Sequence, residues 1–502
     1  MEDFIINDIH ITGNRGGNSL INKKMILRIL GVLLCIEAVL LLISAGVSLI
    51  YEEQDYIYFV YCTLLNLGVG GTLIFFGRNA DNVVTRRDGY CIVAFTWLLF
   101  TAFGMLPFYI SGAIPSVSNA FFETMSGFTT TGATILDDIE SLSHGMLFWR
   151  SFTQWIGGLG IIFFTIAVLP IFGVGNQVLF SAEATGVIHD KIHPKISVMA
   201  KWLWLIYLLL TGTVVVLLLF GGMNLFDAVC HAFATTATGG YSTKQDSIAY
   251  WNSAYIEYVI TIFMLLSSIN FSLYYMFMRG QIRQLFKDDE TKAFITSVLV
   301  ITLLITVSLV LQNGYGLERA FRAAVFQVAS IHTSCGFATD DYNAWSPFTW
   351  MLLLYAMVAG GCTGSTSGGV KLMRVVIVLR NVKNEFSRLM HPRAVLPVKV
   401  NGQAVSQHTL STVVTFVIFY LICAFVAWTV LVFLGLSLQD ALGTVISSLG
   451  NTGPGLATYG PAFSWNALPD LAKWILSFLM LIGRLEVFGI LLMFAPSFWE
   501  KH

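Results

Sequence analysis

Charge is what this chain has least of. Only 11% of its 502 residues are Asp, Glu, Lys or Arg, and the 28 basic residues form no continuous tract, so nucleic acid is not expected as a partner. The seven cysteines (Cys35, Cys62, Cys91, Cys230, Cys335, Cys362 and Cys423) are scattered, with no CxxC or Cys/His ligand spacing. That excludes a zinc site and a disulfide framework. HExxH, paired intramembrane carboxylates and a Gly-x-Ser-x-Gly elbow in context are all missing, so the chain does not read as an enzyme and asks for no covalent cofactor. Walker and Rossmann glycine motifs are missing too, which leaves this chain without a nucleotide fingerprint.

Apolar residues take the place of charge. At 56% hydrophobic and a mean hydropathy of +0.73, the composition is that of a polytopic membrane protein. Residues 1–24 are polar and read as a cytoplasmic N-terminus. The run Met25 to Ile50 is too long for a signal-peptide core and lacks a small-residue cleavage site, so it reads as a retained span. With Tyr56 to Phe76 it makes an N-terminal transmembrane hairpin over residues 25–77.

From Cys91 onward one order repeats: long apolar span, short amphipathic helix, glycine-ended loop, long apolar span. Four such pore units are expected at residues 91–172, 198–280, 292–380 and 407–495, with a cytoplasmic linker at 381–406. Their spans are Cys91 to Tyr109 with Phe148 to Ile171, Val198 to Phe220 with Ala254 to Met278, Ala293 to Leu311 with Phe348 to Leu379, and Thr409 to Leu434 with Leu471 to Phe494. The expected fold is therefore all-α, with ten transmembrane helices. Ala120, Ala228, Ala324 and Ala441 open the short helices and lie 12, 11, 12 and 12 residues before Gly132, Gly239, Gly336 and Gly453. Four tandem copies in phase close naturally into a pseudo-fourfold ring with the loops at its centre.

The loops carry the chemistry. A cation leaving water needs a dipolar substitute for its hydration shell, and backbone carbonyls in a narrow ring supply one without fixed charge. Glycine lets the chain adopt the required angles and lets four chains approach one axis. The residues expected to offer carbonyls are Thr130, Thr131 and Gly132; Ala237, Thr238 and Gly239; Ser334, Cys335 and Gly336; and Asn451, Thr452 and Gly453. Their side chains do not match as a ligand set, which suits binding by the main chain. The short helices aim their C-terminal ends, with about half a negative charge each, at the cavity below. Asn119, Asp227 and Asp440 stand at the opposite ends, where they suit capping. His231 and His332, just before two of the loops, read as packed histidines.

Two features break the regularity. The second span of unit three is interrupted by Gly360, Gly361, Cys362, Thr363, Gly364, Ser365, Thr366, Ser367, Gly368 and Gly369. Irregular backbone at membrane depth is tolerated only where it is buried in protein or lines water, so this stretch reads as a movable gate loop below the third loop copy. A static kink is the competing reading; units one, two and four show no counterpart. Arg484 lies near the middle of the last span, at a cost of about 2.5 to 3.5 kcal/mol unless it meets water or a partner. It is expected to project below the loops, as an electrostatic barrier or a holder of gate-loop carbonyls, with a structural salt bridge as the rival; Glu486, two residues on, is a poor partner.

Lys and Arg placement sets the orientation. All but six of the 28 lie on one side; the exceptions are Arg150, Lys244, Arg319 and Arg322 on the loop side and Lys473 and Arg484 within the last span. The loops therefore face outward and both termini inward. Asp137, Asp138, Glu140, Asp246, Asp340 and Asp341 are expected on the outer face, where carboxylates raise local cation concentration.

Thr130-Thr131-Gly132-Ala133, Phe148 through Gly160, the Gly360 to Lys371 loop, Asn451 through Gly455 and Gly483-Arg484-Leu485-Glu486 resemble the Trk, Ktr and HKT superfamily of potassium transporters. The extra hairpin resembles its bacterial TrkH-type branch. The resemblance covers nearly the whole chain. It implies potassium as the substrate, a homodimer in the bacterial cytoplasmic membrane, and a cytosolic TrkA-type regulatory ring that binds nucleotide in place of this chain. In HKT members a serine at the first loop glycine goes with sodium transport, whereas all four positions are glycine here. Cys335 departs from the threonine of the other copies. The basic stretch Lys371 to Lys399 and the connection Lys191 to Lys201 are candidates for docking that ring. Sodium- or proton-coupled symport stays open, as does, further off, a secondary transporter of an organic substrate, although its usual inverted repeats are not seen.

Overall fold

The computed structural model describes residues 21–81, 84–160, 196–281, 283 and 287–500. It is an all-helical frame with one short hairpin. Six helices are long and apolar enough to cross a membrane: Lys23–Ile50, Tyr56–Gly77, Arg87–Ile110, Lys201–Phe220, Asp289–Gln312 and Gln407–Phe433. Their exposed faces carry large apolar side chains such as Leu299, Leu303, Leu421 and Phe425, as lipid contact requires.

The first two pack as a hairpin through glycine. A methyl group on Gly31 would lie 2.6 Å from the Gly70 carbonyl oxygen, and one on Gly70 would lie 2.8 Å from that of Gly31. The helices therefore meet backbone to backbone, as small residues permit in lipid. The next helix, Arg86–Gly104, starts at a capping box: the Thr85 hydroxyl accepts from the Asp88 amide, while the Asp88 carboxylate accepts from the Thr85 amide. Asp88 also accepts from the Asn22 amide at 2.8 Å, which ties the hairpin to the first unit.

Four short helices follow at Val117–Phe128, Leu225–Thr236, Leu317–His332 and Leu438–Gly450, each lined with buried residues for most of its length. Two of them are capped by a residue other than the acid expected there. The Asn224 side chain accepts from the Asp227 amide and the Ser437 hydroxyl from the Asp440 amide, so each Asp stands three positions inside the helix. Asn119 instead accepts from the Lys473 ammonium at 2.6 Å.

The second spans are not straight. The expected continuous run Ala254 to Met278 is two helices, Ala254–Ser267 and Phe271–Met278, bent by 92°. Asn270 caps the second piece by accepting from the Ser272 amide, and the intramembrane loop takes up the broken ends, with Cys362 donating to the Ser268 carbonyl at 3.0 Å and Phe271 donating to that of Gly364 at 3.0 Å. The last span likewise breaks after Asp470–Arg484, where Glu486 and Val487 take positive φ of 52° and 53°. The interruption in unit three, between Pro347–Ala359 and Leu372–Met390, thus has counterparts in units two and four, contrary to the sequence reading. A polar cap inside an otherwise apolar run leaves no hydropathy signal.

Leu372–Met390 runs ten residues past the expected end of unit three. A two-stranded antiparallel hairpin follows, with Lys399 opposite Ala404 and Val400 opposite Gln403. Asn401 and Gly402, at φ of 50° and 80°, form its turn.

Candidate functional site: four loops around one outer cavity

Each short helix ends in the same way. The amides of Thr130, Thr238, Ser334 and Asn451 reach back to the carbonyls of Gly127, Thr235, Ile331 and Ser448. The next amides, of Thr131, Gly239, Cys335 and Thr452, bond the carbonyls of Ser126, Ala234, Ser330 and Ser447 at 2.8 to 2.9 Å. Thr130, Thr238, Ser334 and Asn451 all have φ between 51° and 54°. The glycines two residues on, Gly132, Gly240, Gly336 and Gly453, have φ of 84°, 79°, 86° and 100°.

This repeat corrects the register of the second loop. Gly240, rather than Gly239, is the equivalent of Gly132, Gly336 and Gly453, and Gly239 stands with Thr131, Cys335 and Thr452. Ala237 is the residue that closes the short helix, one position too early to match Thr130. With Gly240 the spacing from Ala120, Ala228, Ala324 and Ala441 becomes a uniform 12 residues, a signal already present in the sequence.

The four glycines lie around a shared centre. A methyl group on Gly132 would fall on the Gly239 carbonyl oxygen, one on Gly240 on that of Cys335, and one on Gly336 on that of Thr452. One on Gly453 would lie 2.6 Å from that of Thr131. Loop one meets loop two, two meets three, three meets four and four returns to one. Beside this ring is a half-open cavity of about 60 Å³, lined by all four of these glycines. Among its described lining residues the charged ones are Arg150 and Lys244, with no carboxylate. Of the acids expected on the outer face, Asp137 accepts from Ser464 and Asn466, Asp340 accepts from Tyr315, and Glu140 pairs at 3.2 Å with Lys244 of the cavity lining.

Side chains of the loops are tied into the surrounding protein. Thr131 bonds Thr129 at 2.8 Å and receives the Asn451 amide at 3.0 Å, and the Cys335 thiol points to the Ala234 carbonyl at 3.8 Å. The cysteine therefore differs from threonine in its packing while its carbonyl keeps its place against Gly240. His231 is fully buried between the Asp227 carbonyl and the Ser242 hydroxyl, and His332 is buried against Ser297.

The intramembrane loop runs directly beneath. The Thr366 hydroxyl donates to the carbonyls of Thr236 (3.2 Å) and Ser267 (3.1 Å) and lies 3.3 Å from that of Thr238. The Gly368 amide donates to the Ser334 hydroxyl at 2.5 Å, and a methyl group on Gly368 would strike the Gly450 carbonyl and lie 3.0 Å from the Asn451 side chain. Arg484 completes the floor. It donates to the Thr130 hydroxyl (3.2 Å), to the Thr366 carbonyl (2.9 Å), and to the carbonyls of Gly157 and Gly158. The loop and Arg484 together thus touch the lowest residue of all four copies.

The loop's own ends are held by Glu290, which sequence reasoning did not single out. This buried carboxylate accepts from the Thr363 amide (2.7 Å) and hydroxyl (3.1 Å) before the loop's tip and from the Met373 amide (3.0 Å) after it. Lys371 donates to the Ser367 carbonyl, and Gly360 and Gly361 pack against Gly368 and Ser367. Glu486 pairs with Arg374, itself stacked 4.0 Å over Phe416.

An all-helical frame with four tandem re-entrant helix–loop units around one centre defines a multi-pass membrane protein of the ion-transporter class. Residues 59–501 match the family model described as "TrkH: Cation transport protein", and the chain belongs to that family. It is 37% identical over 484 residues to the Trk system potassium uptake protein TrkH of Halomonas elongata, and 37% identical over 482 residues to that of Escherichia coli, covering 95% of this chain and 99% of each relative. The crystal structure of the potassium transporter TrkH from Vibrio parahaemolyticus is similar at 36% identity, with a TM-score of 0.86 over 95% of this chain and 99% of that one.

Proposed function

We propose that this protein takes up potassium across the bacterial cytoplasmic membrane, through one central pore per subunit, with four backbone-carbonyl loops as its selectivity filter. The observation that carries this reading is the ring itself: four positive-φ glycines line one cavity, each against the carbonyl of the next copy. Such oxygens replace water around a dehydrated alkali ion. The relatives named above as potassium uptake proteins make potassium the ion of choice.

The filter residues in this reading are Thr130, Thr131 and Gly132; Thr238, Gly239 and Gly240; Ser334, Cys335 and Gly336; and Asn451, Thr452 and Gly453. The Gly360 to Gly369 loop and Arg484 form the gate: their bonds to the lowest residues of the filter leave a potassium ion no path until they withdraw. Ten crossings, outward-facing loops, inward-facing termini, a homodimer and a cytosolic nucleotide-binding ring docked on the Lys371 to Lys399 stretch complete the proposal. Expression in a bacterium lacking its own potassium uptake systems tests it. Growth is expected at low potassium, and failure of the expressed, membrane-inserted protein to restore it would overturn the reading.

A further inference from the structure

Beside the proposed filter lies a buried ion pair, of which Arg150 reaches the cavity and Glu123 does not. Glu123, on the first short helix, and Arg150, on the helix His144–Gly158, are 1% and 2% exposed. The Arg150 Nε donates to the Glu123 carboxylate at 2.7 Å. The same carboxylate accepts from the Thr134 hydroxyl at 2.9 and 3.0 Å and from the Ile135 amide at 2.9 Å, the residues by which loop one leaves the ring. Arg150 in turn donates to the Ser242 carbonyl at 2.8 Å and stacks 3.7 Å over the Tyr241 ring, where loop two leaves it. The Tyr241 hydroxyl returns to the Glu123 carbonyl at 2.7 Å. Gln154, one turn on from Arg150, accepts from the Tyr241 amide at 3.0 Å and donates to the Gly239 carbonyl at 2.6 Å. That carbonyl is the one facing Gly132.

The fourfold register shows how unequal this arrangement is. Nine residues before each ring glycine stand Glu123, His231, Gln327 and Thr444. His231 meets the Ser242 hydroxyl and Gln327 donates to the Asp340 carbonyl, both single neutral contacts to their own loops, while Thr444 bonds back to its own helix. The ion pair belongs to unit one and spans two loops. A buried pair of this kind adds little net stability over an apolar substitute, and its better-attested use is to fix one arrangement among several.

We propose that Glu123 and Arg150 are a specificity-determining positioning pair that holds loops one and two at the separation a potassium ion fits and a sodium ion does not. The proposal rests on the reading of the loops as a potassium filter. Tracer sodium and rubidium uptake into proteoliposomes tests it, with purified wild-type protein, Glu123→Gln, Arg150→Lys and, as a direct lesion of the ring, Gly132→Ala. Glu123→Gln keeps the shape and loses the charge; Arg150→Lys keeps the charge and loses the planar fork that reaches Ser242. In both, the sodium-to-rubidium ratio is expected to rise about tenfold while rubidium uptake persists, a change equal to about 1.4 kcal/mol of discrimination. A ratio that stays at the wild-type value in both, while Gly132→Ala raises it, overturns the pair and leaves the filter standing. A parallel fall of both ions at constant ratio also overturns it, since a purely structural strut would do that. A ratio unmoved in all three variants removes the filter reading along with the pair. Should Glu123→Gln not be recovered folded, the ratio in Arg150→Lys decides alone.

Discussion

Gly453 and Thr131, from the last loop and the first, meet so closely that a methyl group on the glycine would lie 2.6 Å from the threonine's carbonyl oxygen. This contact closes the ring, because the other three junctions run in sequence order around it. Crowding and a φ of 100° both require glycine at this position.

The register of loop two gives the sharpest mutational contrast. A methyl group on Gly240 falls on the Cys335 carbonyl at a φ of 79°, whereas one on Gly239, where φ is not positive, lies 2.5 Å from the end of the Gln154 side chain, which can shift. Gly240→Ala is expected to reduce rubidium uptake by proteoliposomes at least about tenfold relative to Gly239→Ala. A Gly239→Ala variant as impaired as Gly240→Ala would contradict the assignment.

Sequence alone reached most of this ring, and the reason for its one slip is physical. In loops one, three and four two non-glycine residues precede the ring glycine, which fixes the register, while the second reads Thr238-Gly239-Gly240 and offers two adjacent glycines. The bend at Ser268–Asn270 was hidden because Ala254 to Met278 stays apolar on average, and such an average does not register the short polar cluster of Ser267, Ser268, Asn270 and Ser272. The partners of Glu123 and Glu290 were hidden for another reason: they lie on different elements, and only the packed fold brings them together.

On the proposed reading, removing Arg484 opens the floor of the filter. Its guanidinium ties the Thr130 hydroxyl, the Thr366 carbonyl and the end of the helix His144–Gly158 to one another. Arg484→Ala is expected to raise potassium flux several-fold in liposomes without any partner protein. Unchanged flux would rule out its role as a barrier.

Glu290 anchors both ends of the Gly360 to Gly369 loop, so on the proposed gating its loss favours the withdrawn state. Three hydrogen bonds to a buried carboxylate are worth about 1.5 to 3 kcal/mol each at most. Glu290→Ala is expected to increase the open probability of single channels in bilayers, with Glu290→Gln, which keeps one acceptor oxygen, intermediate. Equal open probability in all three proteins would contradict the latch.

Arg374 and Glu486 test the packing of the last broken span. Arg374 is buried and Glu486 partly so, and truncating one member of such a pair leaves the other charge unpaired, while replacing both by apolar residues can be neutral. Arg374→Met is expected to lower the melting temperature in detergent, and Arg374→Met with Glu486→Leu to recover much of the loss. A double variant no more stable than the single one would contradict it.

The most direct test is the reversal potential of the purified protein in a planar bilayer with potassium on one side and sodium on the other. The proposed potassium filter of main-chain oxygens predicts a potential that follows the potassium gradient and does not move with a pH step, and a Gly240→Ala protein whose potential shifts toward zero. A wild-type potential near zero, the same whichever cation is replaced, would contradict the account.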